Sequence, residues 1–385
     1  MEDQLKLMIP GPTQVPQTAL QALARQPISH RSSEFSAVMA EVTENLQWLH
    51  QTQNDVLLLA GSGTAAMEAG IINFLSPGDR VIVGTNGKFG DRWAELCKIF
   101  GLEVETIAAE WGKPLIAAEF ATKLEADTQK QIKAVIITHS ETSTGVINDL
   151  ETISHHIKNH GKALSIIDAV TSLGSVNVPV DSWGLDVVVS GSQKGYMVPP
   201  GLGIVAVSAK AWEAYKTAKF PKYYLDLEKY RLATINNTSP FTPPVNLIVA
   251  LQTTLRMMQQ EGLEAIFARH LRVMKATRAA IRSLNLSLFA QDDYASPAVT
   301  AVSTSELEAD KIREVVKKRF DMEIAGGQDH LKNKIFRIGH LGFICDRDIL
   351  TCISALEAAL LELAYQDFSL GAGIAAAIKV FQTQI

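Results

Sequence analysis

Cysteine is nearly missing from this sequence: 385 residues hold three, Cys97, Cys345 and Cys352. Without a CxxC spacing they outline neither a disulfide framework nor a zinc or iron–sulfur site, and a reducing cytoplasm is the expected compartment. Long apolar runs are missing too. No segment supplies the roughly 20 consecutive apolar residues needed to cross a bilayer, and "MEDQLKLMIPGPTQVP" lacks the basic start and apolar stretch of a signal peptide. "FQTQI" at the other end is no organelle address. Excess positive charge is absent: 36 Lys and Arg against 41 Asp and Glu give a net charge of -5. That leaves no basic footprint for nucleic acid, although a few local cations would suffice for a small anionic substrate. Neither repeats nor low-complexity segments occur.

What is present is ordinary soluble composition, 47% hydrophobic and 20% charged, arranged in a telling order. "DVLLLA" (55–60), "RVIVGT" (80–85), "KAVIITHS" (133–140), "ALSIIDA" (163–169), "LDVVVSG" (185–191) and "GIVAVS" (203–208) are short apolar runs, most of them separated by amphipathic, helix-like stretches. Continuous apolar strands alternating with helices predict a mostly parallel sheet covered on both faces. After a turn-rich stretch, "NNTSPFTPP", one long helical stretch is predicted from Asn246, and then a smaller α+β region. We expect an N-terminal segment over 1–18, a large domain over 19–250 and a small C-terminal domain over 251–385. The terminal "SLGAGIAAAIKVFQTQI" reads either as a docked amphipathic helix or as a loose tail.

Ligands of such sheets bind beyond the carboxyl ends of the strands. In "DVVVSGSQKGYMVPPGLG" (186–203), Lys194 follows a buried strand after a small-residue turn, as an accident of a loop or as a displayed nucleophile. Asp168 ends "ALSIID", 26 positions earlier and one apolar strand away. It is either a turn cap or a carboxylate awaiting a cation. "AGSGTAAME" (60–68) places Gly61, Ser62 and Gly63 between strand and helix, which suits a phosphate as well as a plain N-cap. "HSETSTG" (139–145) and "TNGKFGDRW" (85–93) add hydroxyls and an aromatic ring at two more strand ends. A cofactor that uses all of these is pyridoxal phosphate: lysine for the Schiff base, carboxylate for the pyridine nitrogen, a flat partner, a helix start for the phosphate.

"SGSQKGYMVPPGLG" resembles the lysine segment of the class V aminotransferases, in the alanine–glyoxylate and serine–glyoxylate branch. "PGPTQVP" (10–16), "HRSSEF" (30–35), "AGSGTAAMEA" (60–69), "THSETSTGV" (138–146), "SPFTPP" (239–244) and "FRIGHLG" (336–342) match in order. The resemblance spans nearly the whole chain. It implies a fold-type I pyridoxal-phosphate transferase, a homodimer with active sites at the subunit interface, using small amino acids and 2-oxo acids in ping-pong fashion. It implies Lys194 as the Schiff-base lysine and Asp168 as the pyridine partner. Ser62, Gly63 and Thr64 would hold the phosphate with Gln193, and Thr242 would reach it from the other subunit. Phe89 would stack on the ring, and Ser143 would sit beside the phenolic oxygen. Ser239 stands where some relatives place a phosphate-reaching tyrosine. Arg337 would bind the substrate α-carboxylate, and Gly11 would line a pocket for small substrates.

The activity so implied is transamination of alanine or serine with glyoxylate. Aspartate or phosphoserine donors are the alternative, with His30, Arg31 and Lys88 as sources of a second anion contact. A desulfurase is disfavoured by Gln193 before the lysine and by two cysteines lying after Arg337. A non-catalytic subunit of a larger complex is the remaining rival.

Overall fold

A computed structural model describes residues 5–304 and 307–383; the first four residues of the N-terminal segment and the last two of the tail lie outside them. The predicted strands assemble into one seven-stranded sheet, in the order Asp55–Gly61, Gly201–Val207, Val187–Gly191, Leu164–Asp168, Ile132–Thr138, Arg80–Thr85, Glu103–Ala108. Six strands run one way; Gly201–Val207 is antiparallel to both neighbours. Both faces are buried. Val187 and Val189 pack into one apolar cluster and Val188 into the other, which is why these strands read as continuous apolar runs rather than alternating ones. The architecture is the mostly parallel α/β sheet, buried on both faces, that the sequence predicts.

Three features differ from the sequence reading. The edge strand Glu103–Ala108 was not expected; it carries Glu103 and Glu105 towards solvent and so lacks an apolar run. The long helical stretch is two helices, Val245–Glu261 and Leu263–Ser283, broken at Gly262 with φ +83°, a conformation that glycine adopts without a Cβ penalty. The domain boundary expected at 250/251 therefore falls inside a helix. Leu247, Leu251, Leu255 and Met258 of the first helix and Ile266 of the second all pack into the core cluster under the seven-stranded sheet.

The small domain has a five-stranded sheet, ordered Lys6–Met8, Met322–Gly326, Ile335–Gly339, Val299–Ser303, Ser287–Leu288. Its first strand comes from the N-terminal segment and pairs in parallel with Met322–Gly326. The chain then crosses to the large domain, where Thr13 N–H donates to Gln193 O (3.0 Å) and Thr13 Oγ1 donates to Lys194 O (3.0 Å). The C-terminal ambiguity resolves as a docked helix: Ala372–Thr383 packs on Leu263–Ser283 and Asp346–Glu362, with Ala377 buried. No helix among the described residues is long and apolar enough to cross a membrane.

Candidate active site

The strands ending at Asp168 and Gly191 are parallel neighbours, with the strand ending at Thr138 next in line. Their carboxyl ends open into a cavity of about 330 Å³ whose wall includes Lys194, Asp168, Phe89, Ser62, Gly63, Thr64, Gln193, Gly11 and Arg92. Lys194 is 8% exposed. Burial, then the charge of Arg337, pulls its amine down to about 8, against the pull of Asp168 upwards. The Lys194 loop is fixed from below: fully buried Tyr196 shares a hydrogen bond with Ser190 Oγ (2.7 Å) and another with His50 Nε2 (2.8 Å). Gly195 is required there, since a Cβ would stand 2.1 Å from Leu173 O.

Asp168 accepts hydrogen bonds from Trp93 Nε1 (3.0 Å) and Val170 N–H (3.0 Å). Burial raises its carboxyl above the usual range, partly offset by those donors and by Lys194 and Arg92. Such a group, desolvated and facing an amine across one cavity, is placed to hold a cation.

The helix Gly63–Ile72 starts at Ser62, whose side chain makes no capping bond. Ser62 O is taken by the amides of Ala65 and Ala66, so the amides of Gly63 and Thr64 have no intrahelical partner, as at any helix start. Ser62, Gly63 and Thr64 line the cavity at the positive end of that helix's dipole, the setting for a phosphate. Two further polar atoms in the same wall, Thr138 Oγ1 and Gln193 Oε1, are buried without a protein partner. Orphans of that kind cost about 1–3 kcal/mol each, and a ligand rich in polar groups would satisfy them. Amine, carboxylate, ring, phosphate-binding turn and unpartnered polar atoms together fit pyridoxal phosphate.

The structure places the remaining expected residues as follows. Ser143 does not line the cavity. Its Oγ donates to Glu141 Oε1 (2.6 Å) and accepts from Lys88 N–H (2.9 Å), because the fully buried Glu141 carboxylate demands donors; Ser140 and Thr142 form the wall instead. Gly11 lines the cavity, and a Cβ there would lie 2.6 Å from Cδ, Cε and Nζ of Lys194. Arg337 is buried just behind the wall, with Nε and Nη2 donating to Gly326 O (2.9 and 2.7 Å) and Nη1 to Thr142 O (2.9 Å). Thr242 and Ser239 line a separate cavity of the chain and do not reach the crevice of their own subunit.

Of the proposed second cations, Lys88 pairs with Asp329 (2.9 Å), and Arg31 donates to Thr238 Oγ1 (3.3 Å) and Ser239 O (3.2 Å). His30 does not line the crevice either. Residues the sequence reading missed are Arg92 in the wall, Trp93 behind Asp168, and Glu141, which accepts from the amides of Phe89 (3.1 Å) and Gly90 (3.0 Å) and so fixes the start of the Phe89 helix. A carboxylate just beyond an apolar strand was the signal used for Asp168, and it would have found Glu141.

A buried lysine and a buried carboxylate at adjacent parallel strand ends, beside a phosphate-binding turn, define the site of a pyridoxal-phosphate enzyme. The family model for class-V aminotransferases matches residues 7–339. The chain is 70% identical over 381 residues to an Anabaena cylindrica protein named soluble hydrogenase 42 kDa subunit, covering 99% of this chain and 100% of that one. It is 37% identical over 382 residues to the L-aspartate–glyoxylate aminotransferase of Paracoccus denitrificans, covering 98% and 96%. The solved alanine–glyoxylate aminotransferase of Nostoc sp. is 32% identical and superposes with a TM-score of 0.88, over 94% of this chain and 96% of that one. The chain belongs to the class-V aminotransferases and depends on pyridoxal phosphate.

Proposed function

We propose that this enzyme transfers the amino group of a small amino acid to glyoxylate, in two half-reactions at one site. The observation that carries the reading is the single cavity of about 330 Å³ shared by Lys194, Asp168 and Phe89. Glyoxylate is favoured as acceptor because relatives similar over nearly the full length are named glyoxylate aminotransferases.

Bound pyridoxal phosphate supplies an aldehyde that condenses with amines and a ring that withdraws the electron pair left at the substrate Cα. The protein supplies the rest. Lys194 Nζ, its proton affinity lowered to about 8 by burial, takes the Cα proton and returns one later; an amine near that value works close to neutral pH. Asp168, kept in place by Trp93 and Val170, would hold the ring nitrogen's proton. Phe89 would support the ring, and Ser62, Gly63, Thr64 and Gln193 would hold the phosphate. Arg337 swings one or more of its donors from Gly326 O and Thr142 O to the substrate α-carboxylate, a charge-assisted contact that fixes orientation. The enzyme acts as a homodimer in which Thr242 serves the neighbouring subunit's phosphate, since it lies outside its own crevice.

The hydrogenase-subunit name of the Anabaena relative favours a second reading, a non-catalytic role in a larger complex. Among the described residues no three His, Cys, Asp or Glu side chains cluster as metal ligands. A scaffold also gains nothing from burying an amine and a carboxylate against the cost of desolvation. Glycine formation from glyoxylate, measured with alanine, serine and aspartate as donors and with pyruvate as the competing acceptor, tests the assignment. Robust glycine production is expected; amino transfer to pyruvate with none to glyoxylate would overturn it.

A further inference from the structure

The crevice contains a cation that the chemistry above does not use. Arg92, on the first turns of the helix Lys88–Ile99, lines the same cavity as Lys194 and Asp168. Its guanidinium carbon lies 4.8 Å from the centroid of the Phe89 ring. A cation–π contact of that kind uses none of the guanidinium N–H groups as hydrogen-bond donors. Among the described residues no carboxylate pairs with it; its partner is the Phe89 ring. Of the other cations considered for this region, Lys88 is paired with Asp329 and Arg31 bonds to the 238–239 loop, while Arg337 is the group assigned above to the α-carboxylate. The charge of Arg92 nonetheless reaches the reacting groups, lowering the proton affinity of both Lys194 and Asp168.

An α-carboxylate needs one guanidinium, and the site has two. We propose that Arg92 determines donor specificity by binding an acid group on the amino donor's side chain, so that the preferred donors are small acidic amino acids rather than alanine or serine. This rests on the transamination reading and narrows it. A side-chain carboxylate entering this cavity loses its water and needs a partner, and the free edge of Arg92 offers bidentate geometry. An alanine methyl group leaves that edge unpaired.

The test uses the holoenzyme with glyoxylate as common acceptor. The ratio of kcat/KM for aspartate to kcat/KM for alanine is measured in the parent, in Arg92→Gln and in Arg92→Lys. Calorimetry of succinate and acetate binding gives a readout independent of turnover, and pyridoxal-phosphate titration of the cofactor-free protein gives a third. The parent should favour aspartate, and Arg92→Gln should lower the ratio about 100-fold, the scale of removing one partner of a desolvated ion pair. Arg92→Lys should recover part of it, and succinate binding should weaken far more than acetate binding. Equal loss with both donors, a parent that prefers alanine, or a fall in pyridoxal-phosphate affinity that accounts for the loss would each overturn the proposal, the last by assigning Arg92 to the cofactor. A parent that moves no amino group to glyoxylate from any donor would sink the transamination reading itself, whereas turnover with a ratio insensitive to Arg92 sinks this inference alone.

Discussion

Replacing Gly11 by alanine adds one carbon at the point where the N-terminal segment touches Lys194. That carbon would stand 2.6 Å from Cδ, Cε and Nζ of the lysine, against the roughly 3.5–4.0 Å of an ordinary carbon contact. The lysine tip must retreat by about 1 Å, and a displacement of that size at a reacting group costs on the order of 100-fold in rate. Gly11 also has φ +126°, which for alanine adds about 1–3 kcal/mol of backbone strain and lowers Tm by several degrees. Gly101→Ala separates the two effects: its φ is +71° and nothing lies within 4 Å of a Cβ there. Both variants should lose stability in thermal melts. In single-turnover mixing with an amino donor and no acceptor, followed by cofactor absorbance, only Gly11→Ala should slow by about two orders of magnitude. A Gly11→Ala enzyme as fast as the parent, or a Gly101→Ala enzyme equally slow, would refute the close packing of Gly11 on a catalytic lysine.

Trp93→Phe leaves the buried Asp168 carboxylate with one donor fewer, so urea unfolding should show a loss of about 1–3 kcal/mol, and the acid limb of the kcat/KM profile should move to higher pH because the Trp93 bond lowers the Asp168 pKa. An unmoved acid limb would place Asp168 outside the reaction. Four buried histidines set the acid stability: burial pushes His50 down to about 3, His139 and His340 to about 4, and His270 well below its usual value. Below about pH 6.5 the unfolded chain binds protons that the native chain refuses. The histidine contribution to stability should therefore fall as pH drops from about 6.5 towards 4, by up to about 1.4 kcal/mol per pH unit for each histidine; urea midpoints that stay level down to pH 4.5 would contradict this.

Lys194 and Asp168 were legible because each interrupts an apolar strand pattern at its end, and parallel sheets gather such ends. Arg92 and Trp93 were not. They sit on an amphipathic helix whose period says which face is buried but not which strand end it caps. Adjacent residues in a loop are equally opaque: "SETSTG" offered several hydroxyls, and spacing could not tell that Thr142 faces the cavity while Ser143 serves Glu141. Pairing of Lys6–Met8 with Met322–Gly326 joins segments more than 300 positions apart, and three residues carry too little pattern to announce a partner. Gly262 was visible as a letter, but a glycine inside a helical pattern does not by itself announce the positive φ that splits the helix.

Lys194→Ala, purified and loaded with pyridoxal phosphate, tests the central claim most directly through its absorbance and its glyoxylate-dependent turnover. The account predicts a protein that folds and binds the cofactor, lacks the visible band of a lysine-linked cofactor, and has lost turnover by several orders of magnitude. Retention of both the band and the parent rate would contradict it.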